Sequence, residues 1–184
     1  MDVSSIAAGI FRVLETGDVD LARKVVSEAN SNREATVSPA PCRIPGPAGT
    51  LASSAWRRAA FSDLRFPILG IAEAADQVWV RLRMQGTHTG PFVRYRDGKL
   101  YQAIPPTGHE IDFESIHILD LANGQVVGHQ AVRDDFTMFR QLGVYPPTLA
   151  AAARKLALRM SGQAARYAAE VTALAAAAAG QVQS

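Results

Sequence analysis

Residues 124–142 read Gly-Gln-Val-Val-Gly-His-Gln-Ala-Val-Arg-Asp-Asp-Phe-Thr-Met-Phe-Arg-Gln-Leu. Asn123-Gly124 at their start is a two-residue hairpin signal. Residues 126–132 then read as a strand, since they are rich in β-branched side chains. Strict alternation places Val126, Gly128, Gln130, Val132 and Asp134 on one face, and His129, Ala131 and Arg133 on the other. An acid that shares a face with valines at a strand end is expected to look into an apolar concavity. Desolvation there would raise its pKa and fit it for proton transfer. Two plainer readings of Asp134 stand beside this: an ion pair with Arg133, or a cap for the helix beginning near Phe136.

Asn123-Gly124 joins that strand to residues 110–121. There Phe113, Ser115, His117 and Leu119 share one face, and Glu114, Ile116 and Ile118 the other. Residues 78–89 form another long strand. Val78, Val80, Leu82 and Met84 line one side, and Trp79, Arg81, Arg83 and Gln85 the opposite side. Neither face is fully polar, which predicts a central strand of a curved sheet. Leu64, Phe66 and Ile68 alternate with Arg65 and Pro67, and the proline suggests an edge. Residues 92–106 are ambiguous between strand, polar hairpin tip and flap.

Before the strands come helices. Ile6, Ile10, Val13 and Leu14 recur at helical spacing, and Thr16-Gly17 ends that helix. Asp18 caps a second, with Leu21, Val25 and Val26 buried. Residues 30–49 are expected to be irregular, because Pro39, Pro41, Pro45 and Pro47 interrupt them. Residues 51–61 return to helix, with Leu51, Ala55, Trp56 and Ala59 on one face. Pro146-Pro147 marks a boundary. Residues 1–147 are read as one domain and 148–184 as an alanine-rich helical extension, broken at Ser161-Gly162. Its stripe of Leu149, Leu156, Met160, Tyr167, Val171 and Leu174 suits packing on a partner or on the domain, or a frayed helix. Helices followed by antiparallel strands predict an α+β fold. N-terminal helices would pack on a strongly curved, mostly antiparallel sheet that encloses a cone-shaped pocket.

Composition narrows the function. The 184 residues are 48% hydrophobic and 20% charged, with net charge +2 and scattered arginines, which argues against nucleic acid. The single cysteine, Cys42, and four widely spaced histidines argue against a metal site and exclude an intrachain disulfide. No basic leader or membrane-length apolar run is present, so a cytoplasmic protein without membrane contact is expected.

Several short stretches together resemble one family. They are Thr16-Gly17-Asp18-Val19-Asp20, Gly46-Pro47-Ala48-Gly49 with Phe61-Ser62-Asp63-Leu64, Gly86-Thr87-His88-Thr89-Gly90, Pro105-Pro106-Thr107-Gly108, and residues 124–143. Their order resembles the SnoaL-like polyketide cyclases, also called ester cyclases, with the cone-shaped fold of nuclear transport factor two. The resemblance covers residues 5–145. It implies a cofactor-independent acid–base cyclisation of a polyketide-derived substrate. Asp134 falls on the family's acid/base aspartate and would carry a proton from the activated methylene to the developing oxyanion. Gln130 stands where the family usually has tryptophan, and Arg33 where it often has a pocket histidine. His117 is read either as a pocket residue near the acid or as a satisfied core histidine. Trp56 and Trp79 are read as core or pocket wall. Tyr95 and Tyr101 would cover the mouth from a mobile lid over residues 94–104. The resemblance also implies a homodimer through the open sheet faces, with Arg81, Arg83 or the extension contributing. Two alternatives stand: a pericyclic ring closure on the same fold, and a non-catalytic ligand-binding or dimerisation module. An epoxide-opening chemistry would need a second pocket acid, for which Glu34 and Glu114 are the candidates.

Overall fold

A computed structural model describes residues 2–182. Two helices, α1 (Val3–Thr16) and α2 (Val19–Val25), open the chain. Asp2 and Asp18 cap them, each accepting a hydrogen bond from a backbone N–H three residues on. Gly17 sits between them at φ 73°, the left-handed conformation that ends α1. The chain continues into β1 (Val26–Asn32), two short 3-10 turns (Arg33–Val37 and Ala40–Arg43) and α3 (Gly46–Ala60). The prolines expected to forbid helix in fact start α3: Pro47 lies in its first turn, where no N–H is needed.

The sheet follows as β2 (Phe61–Arg65), β3 (Ile68–Ala74), β4 (Gln77–His88), β7 (Glu110–Ala122) and β8 (Gln125–Arg133), with the hairpin β5 (Phe92–Arg96) and β6 (Lys99–Ile104) standing apart. The order across it is β1-β8-β7-β4-β2, and β3 also pairs with β4. β2 takes residues 85–88 of β4 and β3 takes residues 77–82, so the edge is broken at Phe66-Pro67 and the sheet bends there. All pairs are antiparallel except β1 with β8. The fold is the α+β cone that the pattern predicts.

Alternation on β4 and β7 is as read. Val78, Val80, Leu82 and Met84 are buried against Phe113, Ser115, His117 and Leu119, beneath Ile6, Ile10, Phe11 and Leu14 of α1. On β8 the alternation fails. Asp120 pairs with Gly128 but Leu121 pairs with Val126, so Val127 is an extra residue, a β-bulge. Val126 is therefore inward together with His129, Ala131 and Arg133, while Gln130 and Val132 face out.

The extension forms α5 (Leu149–Met160) and α6 (Gln163–Gly180), turned apart at Gly162, φ 69°. α6 packs along α3 and buries Val171, Ala175 and Ala179. α5 buries none of its residues. Among the described residues no helix is long and apolar enough to cross a membrane.

Candidate active site

The cone interior leaves a small, partly open cavity of about 30 Å³. Its apolar wall is Trp56 from α3, Met84 from β4, Phe92 from β5, Phe113 from β7 and Met138 from α4 (Asp135–Gln141). Phe92 stacks on Trp56 at 5.5 Å, and the Trp56 indole N–H donates to the Val93 carbonyl at 2.9 Å. Those two contacts fix β5 on α3. Four charged side chains share the wall: Arg57, Arg94, Arg133 and Asp135. Arg133 donates to Asp135 at 3.2 Å and forms an ion pair with Glu34. Arg94 lies 3.5 Å from the other Asp135 oxygen, with its guanidinium 4.8 Å from the Phe139 ring. The carboxylate of Asp135 is thus held between two guanidinium groups at the edge of an apolar cavity.

Deeper in the cone, Ser115, His117 and His129 form a hydrogen-bonded chain. Ser115 Oγ is 3.0 Å from His117 Nε2, and His117 Nδ1 is 2.8 Å from His129 Nε2. The His117 ring meets Phe11 edge-on at 5.0 Å. Burial, the nearby histidine and then Arg57 and Arg133 push His117 well below the usual imidazole range. Burial and the same two arginines push His129 down to about 3. Both rings are therefore neutral at pH 7. A neutral pair can bond to each other only with one nitrogen donating and the other accepting, and protonating both would set N–H against N–H. Among the described residues no group of three or more His, Cys, Asp or Glu side chains is placed to hold a metal.

A larger groove of about 510 Å³ opens between α5 and the end of β6. Alanines, prolines and leucines line half of it, and Arg154 and Lys155 are the charged groups among its described residues. Among the described residues no acid or histidine lines it.

The SnoaL-like polyketide cyclase family model matches residues 6–142. The chain belongs to this family. It is 34% identical over 90 residues to the aklanonic acid methyl ester cyclase AcmA of Streptomyces galilaeus, a match covering 48% of this chain and 56% of the relative. It is 29% identical over 104 residues to the aklanonic acid methyl ester cyclase DauD of Streptomyces sp. (strain C5), covering 56% and 59%. The chain thus spans less than two thirds of the length of the curated relatives it matches. The structure of TsrD from Streptomyces laurentii superposes with TM-score 0.62 at 19% identity, covering 78% of this chain and 98% of that one, a likeness of fold.

Within this SnoaL-like cone the residues expected at the site are sorted by the bulge and by local turns. Trp56 lines the cavity; His117 is buried in the interior and is not one of the lining residues. Asp134 does not line it. Its side chain is exposed and caps α4, accepting from the Thr137 N–H at 2.9 Å. The side chain and amide of Thr137 hold it below the usual carboxylate range. The bulge at Val127 turned the face on which it was placed outward: Val132, its neighbour there, is 72% exposed. Gln130 is on that outer face, opposite Ile118. Trp79 is on the outer face of β4, opposite Ile118 and Ala72. Arg33 is exposed. The Asn32 side chain accepts the Glu34 N–H at 3.0 Å, and the 3-10 turn directs Glu34 to β8, where it accepts from the Ala131 N–H at 2.9 Å. Glu114 lies outside, paired with Arg81 and Arg83. Tyr101 is 44% exposed under the Arg96 guanidinium, on the side of α5.

The expected lid at residues 94–104 is a hairpin with a turn at Asp97-Gly98, both at positive φ, and a register shift that leaves Tyr101 unpaired between Leu100 and Gln102. Tyr95 ties it to α6 through the Thr172 hydroxyl at 3.0 Å. Sequence reasoning missed Arg57, Arg94 and Asp135. Alternation from Phe92 to Arg94 could have placed Arg94 inward. Asp135 follows once the bulge is known. Arg57, next to Trp56 on α3, leaves no signal in the pattern.

Proposed function

We propose that the chain closes a ring in a polyketide-derived substrate by acid–base catalysis, with Asp135 as the proton-transfer group. The observation that carries this is the Asp135 carboxylate set between Arg94 and Arg133 in a wall of Trp56, Phe92, Phe113 and Met138. The substrate class is a polyketide-derived ester, the curated relatives being named for a methyl ester. In an aldol closure Asp135 takes a proton from the carbon between two carbonyls. That carbon attacks a ketone of the same chain, and the proton passes to the new alkoxide. The step is redox-neutral, and no atom is gained or lost. His117 and His129, held neutral, would orient the inner end of the substrate as hydrogen-bonding groups. We also propose a homodimer through the outer sheet face.

The test is conversion of aklanonic acid methyl ester followed by chromatography. Asp135→Asn should lower kcat by about 10²-fold or more. Asp134→Asn should leave kcat within about twofold, because asparagine caps a helix as well as aspartate does. An unchanged rate for Asp135→Asn would move the mechanism to conformational control, as in a pericyclic closure. A loss confined to Asp134→Asn would return the role to the capping aspartate. No turnover by the wild-type chain would count against cyclisation of this ester.

A further inference from the structure

Arg57 is 9% exposed, yet makes no ion pair among the described residues. Its one hydrogen bond there goes to the Ser53 carbonyl, 3.3 Å away on the preceding turn of α3. Its guanidinium carbon lies 5.0 Å from the Trp56 ring centre. A guanidinium has five N–H donors, so most of its bonding capacity is unspent. The neighbouring charges do not make up the difference. Arg57, Arg94 and Arg133 bring three positive charges to the wall, Asp135 brings one negative charge, and Glu34, outside the wall, adds a second through its pair with Arg133. The nearby histidines are neutral, so one positive charge remains. Burial, and then the charge of Arg133, lower Arg57 to about 10, which leaves it protonated at neutral pH. A buried cation without a partner is costly to keep, and an apolar side chain would serve α3 as well.

We propose that Arg57 is an anion site: its guanidinium receives the enolate oxygen of a 1,3-dicarbonyl ligand held in the cone. The cavity of about 30 Å³ that it faces has room for such an oxygen and not for a carbon skeleton. A ring-bearing ligand therefore seats its charged oxygen there while wall side chains shift around its body. The guanidinium makes charge-assisted hydrogen bonds to an anionic oxygen that are about twice as strong as those to a neutral carbonyl. In a ring closure it would hold the negative charge that appears when Asp135 removes the proton. The ligand class rests on the cyclase reading, but the anion preference does not require turnover.

The probe is dimedone, a cyclic 1,3-diketone that is enolate at neutral pH, compared with its neutral methyl enol ether. Binding is read from the indole N–H resonance of Trp56, assigned by the Trp79→Phe variant. Dimedone should shift that resonance saturably and bind at least about tenfold more tightly than the ether. Arg57→Met should remove the difference while leaving the ether unchanged. Should Arg57→Met fail to fold, Arg57→Lys decides: losing the planar fork should weaken dimedone several-fold and spare the ether. Equal affinity for the two ligands, no saturable shift with dimedone, a preference that survives Arg57→Met, or equal weakening of both ligands in Arg57→Lys would overturn the proposal. Equal affinity for the two ligands in a wild-type chain that still cyclises would refute the anion site alone, and a wild-type preference without cyclisation would refute only the cyclase reading.

Discussion

His117 and His129 face each other inside the cone, 2.8 Å apart between nitrogens. Each is depressed by burial, and the positive charges of Arg57 and Arg133 depress both further. His88, buried with its Nδ1 3.0 Å from the Thr107 hydroxyl, is lowered to about 4 by burial and then by His109. The unfolded chain binds protons on all three near pH 6.5, and the folded chain refuses them. Stability is therefore full above about pH 6.5 and lost as pH falls through the windows down to about 4 for His88 and about 3 for His129. Each histidine contributes a slope of at most about 1.4 kcal/mol per pH unit. Urea unfolding at pH 7.5 and pH 5 should show that loss, and His129→Gln should make the pH dependence less steep. An unaltered slope in the variant would mean that His129 titrates normally. At this scale the sequence was a partial guide. His117 could be placed inward because β7 alternates without interruption. Arg57 could not be found, because a basic residue in the last turn of a helix is ordinary and only the packing around α3 makes it buried.

Elements were legible where periodicity and turn chemistry agree, as in α1, β4 and β7. β8 was legible as a strand but not in facing, because the bulge at Val127 leaves no mark that alternation can read. β1 was missed. Its Ser, Glu and Asn residues lack strand propensity, and a register shift between Val26 and Ser31 leaves Val26 and Asn30 as its buried positions. The extension was legible as helices broken at Gly162, but its relation to the domain was not. Alanines on α6 allow close approach to α3, and Val171 is buried there. The Tyr95 hydroxyl binds Thr172, and the Arg23 guanidinium donates to the Val182 carbonyl at 2.9 Å. These ties make α6 part of the core layer, so removing residues 148–184 should be felt through the whole fold. Burial of Val171 and three alanines is worth several kcal/mol, which at this chain length is a fall in Tm of about 5–10 °C. A truncated chain melting with the full one would show α6 to be an appendage.

Across the whole molecule, a sheet with helices on its concave side leaves its convex side to solvent. That side should be polar in a monomer, and here it is not. Trp79 is 42% exposed, Ile116 41% and Val132 72%, in adjacent rows of β4, β7 and β8. Around them run Arg81, Arg83, Asp112 and Glu114, paired within the face by Arg81–Glu114 at 2.7 Å and Arg83–Asp112. An apolar centre with a rim carrying both signs of charge is self-complementary under a two-fold axis. The same surface explains why Gln130 and Trp79 looked like pocket residues: an apolar, half-polar strand face reads alike whether it lines a pocket or a dimer contact. α5 offers a second patch in Leu149, Leu156 and Met160, but it belongs to a helix that buries none of its own residues. The sheet face is the better-founded contact, since its residues are fixed by a long regular ladder. At micromolar concentration light scattering should give twice the chain mass of 19.7 kDa. Val132→Lys combined with Ile116→Lys places four like charges across the axis, two from each copy. That pair should yield the monomer mass without loss of secondary structure. Charges added to α5 at Leu156 and Met160 should leave the mass doubled. A wild-type monomer would refute the contact, and dissociation by the α5 charges alone would move the interface to the extension.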